Sequence, residues 1–171
     1  MGSTVASGDV TQRQVRRREP LAVARQAASK VPQITVFFWI IKILTTAQGE
    51  ATSDWLVYRI DPFTAVAIAG VALAAALVLQ FRARKYVAWI YWLTVDLVAI
   101  FGTMAADVLH VGLGVPYLVS TTAFAVLLAL VFLAERRDRS VHQAYYWLAI
   151  VVVRTAATNL ADFGASDLRL G

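Results

Sequence analysis

Residues 62–81 read PFTAVAIAGVALAAALVLQF, twenty positions without a single charge. Wound as an α-helix, such a run is about 30 Å long, the thickness of a bilayer's hydrocarbon core. A second uncharged run extends from Val108 to Ala134 if His110 is counted neutral. Working outward, three more apolar segments carry isolated charges: Val31–Gly49, Tyr86–Ala106 and Tyr145–Ala161. With spans at 62–81 and 113–134, the pattern predicts an all-α fold, a polytopic membrane helix bundle of about five transmembrane helices. Composition points the same way. Of 171 residues, 59% are apolar and 16% charged, whereas a soluble domain carries about a quarter charged residues.

Charge divides the chain into sides. Residues 1–30 hold Arg13, Arg16, Arg17, Arg18, Arg25 and Lys30 against Asp9 and Glu19. This basic tail, expected to be disordered, has no apolar core of the kind a secretory signal needs. Read sharply, RQVRRREP at 13–20 binds nucleic acid. Next to membrane spans it reads instead as a juxtamembrane segment held near anionic lipid, and no nucleic-acid partner is expected. The loops at 82–85 (RARK) and 135–139 (ERRDR) are also basic. The alternate loops carry Arg59 and Arg169 among several acids. Lys and Arg bias orients spans, so the N-terminus is expected to be cytoplasmic and the C-terminus extracytoplasmic. Trp39, Tyr86, Trp89, Tyr91, Trp92, Tyr145, Tyr146 and Trp147 fall near the basic ends, and Trp55, Tyr58 and Tyr117 near the others, as two interfacial belts would.

A repeat lies within the odd-numbered spans. Trp39, Trp92 and Trp147 are 53 and 55 residues apart, and an aspartate follows each by fifteen: Asp54, Asp107 and Asp162. Ten residues after each Trp comes Gly49, Gly102 or Ala157, and eleven after comes Glu50, Thr103 or Thr158. A proline, Pro62 or Pro116, opens the following even span. On these residues, and on KVPQITVFFWIIKILTTAQGEATSDW at 30–55 above all, the chain resembles the bacterial multi-pass membrane family known only as a tandem two-helix repeat of unknown function. The resemblance covers about residues 30–171. It implies tandem helix pairs, typically four copies, a bacterial inner membrane as the location, and no assigned chemistry. Three copies are expected here, the last incomplete, which raises self-association or a second membrane chain as the expected partner beside the lipid bilayer.

The charges on the odd spans are the candidate functional residues. Helical spacing places Asp96, Thr103, Asp107 and His110 on one stripe of the third span, and Arg154, Thr158 and Asp162 on one stripe of the fifth. In the first span Thr46 lies above Glu50 and Asp54, with Lys42 a turn deeper. Ionisable groups inside a membrane mark ion or proton pathways by default, or else pair with one another between helices. By depth, Lys42 is expected to meet Asp96, and Arg154 to meet Glu50 or Asp96. Two functions are therefore in view. The first is a small transporter or permeation protein for protons or hard cations, with Glu50, Asp54, Asp107 and Asp162 as an outer acidic vestibule. The second is a non-catalytic scaffold or subunit whose charges are structural pairs. An enzyme is not expected. There is no cysteine, and the histidines, His110 and His142, stand apart from any metalloprotease spacing. No cofactor is expected. Ser120, Thr121 and Thr122 read as helix–helix hydrogen-bonding residues, and Gly112 and Gly114 as a loop before a proline-started helix.

Overall fold

The computed structural model describes residues 32–137 and 142–166. The basic tail at 1–30 lies outside them. The described residues form five helices: α1 (Val36–Val57), α2 (Pro62–Arg82), α3 (Ala88–Asp107), α4 (Tyr117–Arg137) and α5 (His142–Ser166). Four segments are long and apolar enough to cross a membrane: α2, α3 with its extension to Gly112, α4 and α5. The protein is an all-α membrane helix bundle. α1 is as long as its neighbours, at 22 residues, and carries three charged residues along its length, Lys42, Glu50 and Asp54.

The helix ends follow local chemistry. Thr35 caps α1 by accepting the Phe38 N–H at 3.3 Å. Asp61 caps α2, its carboxylate accepting the Thr64 N–H at 2.9 Å and the Thr64 hydroxyl at 3.1 Å, with Pro62 opening the first turn. α3 ends in a π-turn over Val108–Gly112, where the Leu113 N–H reaches the Val108 carbonyl. Gly114 then takes a φ of 66°, and the chain enters α4 after Pro116. Gly112 and Gly114 thus form the loop expected of them.

Several boundaries differ from expectation. α1 starts at Val36 rather than 31 and runs on to Val57. Gly49 does not stop it, because this glycine is buried against α3 instead of capping a terminus. α4 starts at Tyr117 rather than 113, since the π-turn and the Gly114 turn occupy the intervening residues. α5 reaches from His142 to Ser166, beyond the expected 145–161 at both ends, and α3 covers 88–107 plus the π-turn rather than 86–106.

α3 is the hub. It packs against α1, α2 and α5, while α4 reaches the bundle chiefly through α5. α2 shows a small-residue face: Ala65, Ala69 and Ala76 are buried, with Leu73, against α3. Large apolar residues elsewhere, such as Val71 at 72% and Phe37 at 76% exposure, face outward, the arrangement lipid favours over water. The aromatic residues depart from a pure belt. Trp39, Trp89, Trp55 and Tyr58 are exposed, but Tyr91 and Trp147 are each only 2% exposed. Tyr91 packs against Trp92 and Trp147, and Phe38 against Trp92, all with ring centroids 5.4–5.5 Å apart. Part of the expected belt is therefore an aromatic knot joining α1, α3 and α5.

Candidate functional site

Counting from each unit's Trp gives the site its coordinates. Residues ten and seven places after Trp make the seams between odd helices. A Cβ on Gly49 would lie 2.5 Å from the Ala99 Cβ, and one on Gly102 would lie 2.7 Å from the Arg154 Cγ. In both seams position +10 of one unit meets position +7 of the next, so the repeat read from sequence is repeated in packing. Glycine at +10 allows the backbones this approach.

Position +7 of α5 is Arg154, and its long side chain reaches outward to position +11 of the other two odd helices. Arg154 Nη2 donates to Glu50 Oε2 at 2.7 Å and to Thr103 Oγ1 at 2.8 Å. One guanidinium thus ties α1, α3 and α5. Its side chain is 16% exposed and that of Glu50 is 50% exposed. Of the two partners expected for Arg154, Glu50 is the one it meets. Thr158, the third residue at +11, is buried with its hydroxyl unpartnered among the described residues.

Inward of this tier lies a cleft of about 480 Å³ between α1, α3 and α5. Positions −1 (Phe38, Tyr91, Tyr146) and +3 (Lys42, Val95, Ile150) line it, and Thr46, Arg154 and Ala157 complete its outer part. The Tyr91 and Tyr146 hydroxyls bond to each other at 2.9 Å. Lys42 and Arg154 are near enough to feel each other's charge. The expected Lys42–Asp96 ion pair does not form, and the register explains why. Lys42 stands at +3 and Asp96 at +4, and one residue turns a helix by about 100°. The +3 face opens on the cleft, where α3 supplies Val95. Asp96 instead shares a face with Thr103 and Asp107, and its Oδ1 is buried without a hydrogen-bond partner among the described residues.

Outward of the tier the acids gather. Asp107 lies within electrostatic reach of Asp162, Asp54 and Glu50, and Asp162 within reach of Glu50 and His110. His110 itself folds back on the loop. Its Nδ1 lies 2.9 Å from the Val115 carbonyl oxygen, and its ring stacks on Tyr117 at 3.4 Å. It secures the turn into α4 rather than extending the α3 stripe. Thr46 donates to the Lys42 carbonyl at 2.8 Å within its own helix. Among the described residues no three His, Cys, Asp or Glu side chains converge to hold a metal ion.

Sequence reasoning missed two polar contacts. Asn159, fully buried, accepts from Ser120 Oγ at 2.7 Å and donates to the Thr155 carbonyl at 3.0 Å. Ser120 is therefore a helix–helix residue as expected, while Thr122 bonds within α4 and Thr121 finds no partner among the described residues. The other contact missed is the tyrosine pair. Its signal was present, since both tyrosines directly precede a repeat Trp.

No curated protein and no solved structure matches the chain. A family model does, twice, over residues 37–86 and 90–140. The two matches start 53 residues apart, the spacing of Trp39 and Trp92, and the Trp147 unit lies beyond them. On these two copies the chain belongs to the family described as Repeat of Unknown Function (DUF347).

Proposed function

We propose that the protein is a small permeation or transport protein whose odd helices enclose a polar path closed by the Glu50–Arg154 ion pair. One observation carries this reading. Along the helix register the 2.7 Å ion pair stands between the cleft, open on one side past the exposed Val153, and a cluster of acids. Cleft, bridge and charged mouth form a series, as a gated path requires, whereas a purely structural bridge needs neither a cleft nor a mouth. The inner end is the cytoplasmic one in this reading, because Arg82, Arg84, Lys85, Arg136 and Arg137 flank it. The acids at the outer end raise the local concentration of cations and set the field through which any solute enters.

The scaffold reading has its own support, because Arg154 joins three helices at once and satisfies Glu50 without any solute. Flux separates the two. Purified protein in liposomes is expected to pass a small charged solute, and Glu50→Gln to raise the leak by loosening the bridge. Absence of flux for cations and anions alike, in wild type and variant, would leave the scaffold.

A further inference from the structure

We infer that the cleft between α1, α3 and α5 binds an organic anion with an apolar body, its acid group held between Lys42 and Arg154. This goes beyond the transport reading: the cleft opens sideways between α1 and α5 past the exposed Val153, so an anion reaches the cations without crossing the acidic mouth.

The lining supplies the first argument. Of the charged residues in the chain, the cleft wall carries Lys42 and Arg154 and no carboxylate. Glu50 engages Nη2 of Arg154, but the Arg154 Nε–H is buried with no acceptor among the described residues. Lys42 makes no ion pair within them either. Its backbone carbonyl accepts from Thr45 and Thr46, and its ammonium is left over. Two cations within each other's field, half-withdrawn from water, repel each other. An anion between them removes that cost and gains charge-assisted hydrogen bonds.

The remaining wall is apolar. Phe38, Val95, Ile150 and Val153 flank the cations, and the paired hydroxyls of Tyr91 and Tyr146 mark the inner end. A bare inorganic ion would leave this surface unfilled, whereas an acid with a hydrocarbon or aromatic body fills it. The volume of about 480 Å³ lies in the range of pockets that hold small molecules, roughly 300–1,000 Å³.

Register explains why the volume exists. The α1/α3 and α3/α5 seams are closed by +10 against +7. The leftover partners are Ala157 at +10 of α5 and Thr46 at +7 of α1, and they stand on opposite walls of the cleft. The cleft is thus the third seam, unclosed. The Glu50–Arg154 bridge spans the outer end of this gap, so a further helix, about 10–12 Å across with its side chains, would have to break it to lie along the whole seam. A small ligand would not.

The test uses the full chain in nonionic detergent with 11-bromoundecanoate, whose bromine quenches indole fluorescence on contact. Trp92 packs on Phe38 of the cleft wall, and Trp147 on Tyr91. Saturable quenching by the carboxylate is expected, above the non-saturable quenching of the exposed Trp39, Trp55 and Trp89 that uncharged 11-bromoundecanol also gives. Lys42→Met should weaken binding about tenfold, the scale of one lost charge-assisted bond, and Lys42→Arg should restore most of it. Since Lys42 strands no ion-pair partner among the described residues and its loss relieves repulsion with Arg154, the thermal midpoint should hold or rise, which separates lost binding from lost folding. Displacement by benzoate would assign the site to a dissolved acid. Displacement by phosphatidylglycerol alone would assign it to a lipid headgroup. Equal quenching by acid and alcohol, or binding indifferent to Lys42→Met, overturns the proposal. Binding is read at equilibrium. Binding without flux would therefore sink the transport reading and spare the site, and flux with unaltered affinity in Lys42→Met would do the reverse.

Discussion

The two closed seams and the open one use the same register positions and differ in which side chains fill them. Where Gly49 meets Ala99, and Gly102 meets the stem of Arg154, the backbones lie so close that a methyl group would have no room. Where Ala157 faces Thr46, the helices stand apart around a cleft and a long ion pair bridges them further out. The comparison shows that the same register positions can close one seam and leave a cleft at another. Small residues set how near two membrane helices can come. Glycine at +10 is present in the first two units and replaced by alanine in the third.

The largest expected effect comes from forcing a closed seam open. Gly49→Val places two methyls where even a Cβ meets the Ala99 Cβ at 2.5 Å and its backbone carbon at 3.1 Å. Backbone neighbours cannot yield, so a loss of about 3 kcal/mol is expected, seen as a collapsed thermal midpoint or aggregation on size exclusion. A midpoint within 2 °C (roughly) of wild type would mean that the α1/α3 seam is looser than described.

A smaller effect tests the bridge over the open seam. Arg154→Gln and Glu50→Gln should each cost about 1 kcal/mol, since the pair is half exposed on the Glu50 side. The double variant should cost less than the sum of the two, and strict additivity would show that the ion pair contributes nothing. The smallest effect belongs to Thr103→Val, which removes one acceptor from Arg154 Nη2. About 0.6 kcal/mol is expected, the usual worth of a side-chain hydrogen bond between membrane helices. A Thr103→Val loss larger than that of Glu50→Gln would move the anchor of Arg154 from α1 to α3.

How much of this was legible beforehand depends on the distance over which each feature is determined. The span at 62–81, the proline and Asp61 start of α2 and the Trp–Asp spacing are local or periodic, and each was readable. The choice of Glu50 over Asp96 for Arg154 was readable only as a pair of alternatives, because depth narrows the partner and rotation selects it. The Lys42–Asp96 expectation failed on rotation alone: equal depth, adjacent register, different faces. The aromatic belts were half right. Position along the chain places a ring at the interface, but whether Tyr91 turns to lipid or to Trp147 depends on the helix beside it.

By itself the sequence determined that the protein is a helical membrane bundle, that its unit recurs about every 53–55 residues, and that ionisable groups concentrate on alternate helices. Those are properties of composition and period, which a single helix already expresses. Tertiary structure alone decided which faces meet. It closed two seams on glycine, left the third as a cleft with two cations on its walls, and joined Arg154 to Glu50 and Thr103. These depend on how far and at what rotation neighbouring helices approach, and that is set by side-chain volumes on two chain segments at once, some 50 to 100 residues apart.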